Sequence, residues 1–92
     1  MNKTIYMVQG RTGEYDDFSI WNVKAFSEKR AASAFVRRLT SLANKTFALD
    51  EYSDEWEAML VKLRKLDSNA YIDYTGLKYS INPLTLITSN KE

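Results

Sequence analysis

The chain has 92 residues, 13 Lys/Arg against 12 Asp/Glu, a net charge of +1, and neither cysteine nor histidine. That length suits one domain with a single core. The composition excludes a disulfide framework and thiolate metal sites, removes the commonest general base and metal ligand, and confines charge-driven recognition to local patches.

The first predicted element is a strand over Lys3–Gln9, in which Ile5 and Met7 alternate with Tyr6 and Val8, so both faces carry apolar residues. Gly10-Arg11-Thr12-Gly13 follows and is expected to be a turn, its two glycines supplying positive φ. Glu14, Asp16 and Asp17 extend it into an acidic tip. A phosphate loop is not expected there, since GRTG lacks the longer spacing ending in Lys-Ser/Thr and leads into a strand rather than a helix. As an exposed tip carrying Arg11, the loop is a candidate contact point. Phe18–Phe26 is the second predicted strand, with Trp21, Val23 and Ala25 on one side and Asn22 and Lys24 on the other beside Ile20. The two strands should form an antiparallel hairpin.

Ser27–Asn44 has the strongest pattern in the chain. Ala32, Phe35, Val36, Leu39, Leu42 and Ala43 recur at three- and four-residue steps, which predicts an amphipathic helix buried along that stripe. Ser27 is the expected N-cap, with Glu28 in the first turn, although Arg30 leaves the capping box incomplete. Between Lys29 and Leu49 the charged residues are Lys29, Arg30, Arg37, Arg38 and Lys45, with no carboxylate among them. Exposed helices ordinarily interleave the two signs at i±4, so this basic face is a candidate binding surface as well as a solvated one.

The sign then reverses. Asp50–Glu57 holds Asp50, Glu51, Asp54, Glu55 and Glu57 and no base. Ser53 should cap a second helix over Asp54–Leu66, with Trp56, Met59, Leu60, Leu63 and Leu66 as its apolar stripe and Lys62, Arg64 and Lys65 matched to the negative end of its dipole. Ala70–Tyr74 and Leu77–Ile81 are predicted strands around a Thr75-Gly76 connection, and Pro83 should end central pairing. Leu84–Ile87 is expected to form a short edge or packed extension, and Thr88–Glu92 to fray.

The resulting order, ββααββ, predicts an α+β fold: a mainly antiparallel sheet covered on one face by two amphipathic helices, residues 1–92 forming a single domain. No Ser/His/Asp arrangement, Ser-x-x-Lys site or calcium-loop spacing is present, so no enzyme activity, cofactor, metal or small-molecule substrate is expected. With no apolar run approaching ~18 residues and no signal segment, a soluble cytoplasmic protein without membrane contact is expected.

Gly10, Thr12-Gly13-Glu14-Tyr15, Asp17, Trp21, Val23, Ala25-Phe26, Glu28 and Ala31 lie within YMVQGRTGEYDDFSIWNVKAFSEKRAASAFV, the first third of the chain. This run resembles small phage-encoded proteins that open with a strand, a G-x-TGEY(S/D)D turn, a W-x-V-x-AF strand and an ExxA helix. Size and charge layout are similar to those of phage anti-CRISPR proteins directed at the type I-F (Cascade/Csy) surveillance complex. The resemblance implies a stoichiometric inhibitor, acting in the bacterial host cytoplasm, that occupies protein subunits of an RNA-guided complex near its guide-RNA phosphates and blocks target DNA binding. On the charge reading, Arg11, Lys29, Arg30, Arg37, Arg38 and Lys45 are the candidate partner-binding residues. The alternatives are a small phage regulatory module that uses the basic helix directly on DNA or RNA, and a structural phage protein in a homo-oligomer.

Overall fold

A computed structural model describes residues 2–13, 18–70 and 76–87. Strands β1 (Asn2–Thr12) and β2 (Ser19–Phe26) precede helices α1 (Lys29–Phe47) and α2 (Asp54–Leu66), and strand β3 (Leu77–Ile87) comes after them. The strands form an open antiparallel sheet in the order β2-β1-β3. Helix α1 lies across the sheet, and α2 packs against α1. The architecture is α+β with order ββααβ. Of the expected strand over Ala70–Tyr74, Ala70 is described and is buried outside any strand, and residues 71–74 lie outside the described ones.

The core forms where the helical and strand periodicities meet. Val8, Leu77 and Tyr79 from the sheet cluster with Ala32, Leu39 and Ala43 of α1, with Leu60 and Leu63 of α2, and with Ala70. The apolar stripe of α1 faces inward as its spacing requires, while Lys29, Arg30, Arg37, Arg38 and Lys45 are all exposed. The helix starts later and ends later than expected. Phe26 is still paired with Tyr6 and its ring lies 5.3 Å from that of Phe35, so Ser27 and Glu28 are needed for the turn. Glu28 rather than Ser27 therefore occupies the N-cap position, without a side-chain cap, and it lies outside the first turn. At the other end, the buried stripe continues past Asn44 to Thr46, whose hydroxyl is satisfied by donating to the Leu42 carbonyl at 2.8 Å. Helix α2 has the expected bounds, and the Ser53 hydroxyl accepts from the Trp56 N–H at 3.2 Å.

The sheet departs from expectation in three places. First, Gly10–Thr12 belongs to β1 and is not a turn; of the two glycines, only Gly13 takes positive φ. Gly10 is there for space: a Cβ would lie 2.7 Å from the Trp21 indole, so only a glycine lets that ring cross the strand. Second, β2 carries an irregularity. Val8 pairs with Lys24 and Gln9 with Asn22, leaving Val23 as the extra residue. A one-residue insertion flips the facing of the residues beyond it, so Ala25 is exposed and Phe26 is half-buried. Lys24 now shares the helix-facing side, its ammonium 5.4 Å from the Phe26 ring centroid and 5.6 Å from that of Phe35. Third, β3 runs through Pro83, which faces Tyr6, and continues to Ile87. Among the described residues β3 is an edge strand, which can hold a proline whose nitrogen points away from β1, so pairing does not end there. Because β2 stops opposite Tyr6, the Asn2–Ile5 end of β1 pairs with β3 alone.

A polar knot ties α2 to the sheet. On one rung Gly10 lies between Trp21 and Tyr79. Asp67, the C-cap residue of α2 and only 2 % exposed, sits over this rung. Its carboxylate accepts from Trp21 Nε1 at 2.9 and 3.1 Å, from the Tyr79 hydroxyl at 2.7 Å and from the Asn69 N–H at 3.1 Å. Several charge-assisted bonds compensate the burial of this charge. Burial pushes the Tyr79 phenol well above its ordinary value of 10.0, and its hydrogen bond to Asp67 and the nearby negative charge add to the shift.

A folded-state value above the unfolded one means that Tyr79 contributes stability below about pH 10, which is lost as the pH rises further. The urea midpoint of the wild type should therefore fall more steeply between about pH 9.5 and 11.5 than that of Tyr79→Phe. Parallel curves for the two proteins would refute the coupling.

Candidate cationic groove between the helices

Candidate site residues are brought together where α1 meets α2. Arg38, Ser41, Leu42 and Lys45 recur at helical spacing along one side of α1. Lys62, Lys65 and Leu66 do the same along α2. These seven residues line a groove of about 390 Å³. Leu42 and Leu66 are half-buried and form its floor, while the four cations and the Ser41 hydroxyl stand exposed around it. None of the four cations has an ion-pair partner among the described residues.

Like charges gathered without counter-charges repel one another, and an anion bound between them relieves that repulsion. The geometry also indicates what kind of anion fits. Lys62, Lys65 and Leu66 belong to the end of α2, where carbonyls rather than N–H groups are unsatisfied, so the backbone supplies no anion cradle there. An anion there would meet the point charges of Lys45, Lys62 and Lys65 and the planar guanidinium of Arg38 around an apolar floor. That arrangement suits a chain of phosphates better than a single enclosed one.

The sequence-predicted residues divide. Arg38 and Lys45 line the groove. Lys29, Arg30 and Arg37 are exposed on α1 but do not line it. Arg11 is on the other face of the sheet, on a rung with Ile20 and Lys78, and shares no site with the helix cations. Lys62 and Lys65 are explicable from sequence as dipole partners of α2. Their positions beside the Leu63/Leu66 stripe are the signal that they border a helix–helix seam.

Among the described residues no three His, Cys, Asp or Glu side chains converge as a metal site would require. No described helix is long and apolar enough to cross a membrane. Comparisons with protein-family models, with curated proteins and with solved structures found no match to this chain.

Proposed function

We propose that the protein is a binding protein that acts by occupancy, and that its inter-helix groove seats a nucleic-acid phosphate backbone within an RNA-guided complex. The observation that carries this reading is the convergence of Arg38, Lys45, Lys62 and Lys65 on one groove without counter-charges. The likeness of the first third of the chain to phage proteins directs the proposal to the type I-F surveillance complex, where guide-RNA phosphates border basic protein surfaces. An inhibitor of this kind keeps target DNA from pairing and modifies nothing.

Such inhibition titrates to a fixed molar ratio, needs no nucleotide or metal, and depends on order of addition. A complex already paired with target DNA should resist it. Lys62→Glu/Lys65→Glu should weaken inhibition at least about tenfold while costing no more than about 2 kcal/mol of stability, because both residues are exposed and only their attraction to the end of the α2 dipole is reversed. Arg38→Glu should act in the same direction, whereas Arg37→Glu, outside the groove, should change inhibition much less. Equal effects at Arg37 and Arg38 would place the contact elsewhere on α1.

The second reading, direct binding to free single strands, is favoured by the same four cations. It predicts a log-affinity against log-salt slope of about −3 and tight binding to naked RNA. The first reading, in which the phosphates are met only within the assembled complex, predicts a dissociation constant of about 10⁻⁴ M or weaker for free oligonucleotide at physiological salt, since the net charge is only +1.

A further inference from the structure

A second cleft, of about 400 Å³, lies along α2 and is lined by Tyr52, Trp56, Glu57, Leu60, Val61 and Arg64. We infer that this cleft docks a segment of a partner protein that places one leucine-sized side chain between a basic residue and an acidic residue.

Apolar surface supplies the anchor site. Val61 is 56 % exposed and Tyr52 is 75 % exposed. Tyr52 takes φ 69, a region that bulky residues rarely enter, with its ring 5.3 Å from that of Trp56 and tilted by 58°. The backbone outlier holds the exposed Tyr52 ring against Trp56, which is half-buried and packs on the core, so a fixed aromatic wall faces the cleft. Leu60, almost fully buried, closes the floor.

Charge then selects the occupant. Glu57 lines the cleft, and the exposed Asp54 and Glu55 stand on the turn beside it, so this end is negative. The opposite end carries Arg64, whose Nε donates to the Ala70 carbonyl at 3.1 Å and thereby holds the guanidinium in place. Glu57 and Arg64 are two helical turns apart, about 10 Å, which an extended peptide spans in about three residues. Nucleobase stacking on the aromatic pair is opposed by the acids, which would repel the accompanying phosphates. The inference does not depend on the nucleic-acid reading of the cationic groove.

The test titrates the isotope-labelled full chain with acetyl-Lys-Lys-Leu-Ala-Glu-amide and follows the Trp56 indole signal by NMR. Saturable shifts at Trp56, Val61 and Arg64 are expected, with a dissociation constant of about 1 mM or tighter. The charge-inverted peptide acetyl-Glu-Glu-Leu-Ala-Lys-amide, and the peptide with glycine in place of leucine, should each bind at least about tenfold more weakly. Val61→Gln and Glu57→Gln, both at exposed positions, should weaken the titration by similar factors. Lys62→Glu/Lys65→Glu should leave it unchanged, which separates this cleft from the groove. No saturable binding, equal binding of the inverted or glycine peptide, or a Trp56 shift produced by oligouridylate instead would overturn the inference.

Discussion

Leu39→Ala should lower the unfolding free energy by about 2–5 kcal/mol, read as a shift of the urea midpoint. Leu39 is fully buried near the middle of α1, in the cluster that also holds Val8 of the sheet and Leu63 of α2. Truncation removes its transfer free energy and leaves a cavity that three separate elements would have to close together. For a domain of this size that loss is a large share of the total stability. Arg37→Glu on the solvent side of the same helix should change stability by less than about 1 kcal/mol. If Arg37→Glu unfolds the protein while Leu39→Ala does not, the facing of α1 is wrong.

Asp67→Ala is expected to cost about 2–4 kcal/mol by a different route. The substitution strands the Trp21 indole N–H, the Tyr79 hydroxyl and the Asn69 N–H without their common acceptor. Trp21 Nε1 can only donate, so it has no alternative role to adopt. Tyr79→Phe removes one donor and keeps the acceptor for the others, so its cost near neutral pH should be smaller, about 1 kcal/mol. The near-UV dichroism of Trp21 should change in Asp67→Ala as the ring loses its anchor. A change of less than about 0.5 kcal/mol would show that water replaces the carboxylate without penalty.

These two residues also separate what is readable in the sequence from what is not. Leu39 is legible because a helix repeats every 3.6 residues and its stripe, from Ala32 to Thr46, spans about four turns. The same rule yields α2, and Ser53 supplies its start. Asp67 is not legible. Its role needs Trp21, Gly10 and Tyr79 on one rung, and strand register is a tertiary outcome that no local pattern fixes. Gly10 illustrates the same limit: local propensity assigns it to a turn, while the ring of Trp21 requires it within a strand. The exposure of Ala25 results from an inserted residue in β2 that alternation alone does not reveal. For the groove, the cations of α1 are evident from their missing counter-charges, whereas the contribution of Lys62 and Lys65 depends on which sides of two helices adjoin.

The position of β1 between its hairpin partner and the distant β3 has a kinetic consequence. Its rungs with β3 join Asn2 to Ile87 and Thr12 to Leu77, so each closes a loop of most of the chain. The β1–β2 hairpin and α1 can form from near neighbours, but the central strand keeps one bare edge until Leu77–Ile87 arrives. Loop-closure entropy has to be overcome before those rungs contribute, which places refolding at about milliseconds to seconds rather than the microseconds of small helical proteins. During that interval the bare edge of β1 can pair with another molecule as readily as with β3. The main stopped-flow refolding phase should therefore lose amplitude to aggregation as protein concentration rises, even though in the finished fold Tyr6–Thr12 of β1 is paired on both sides.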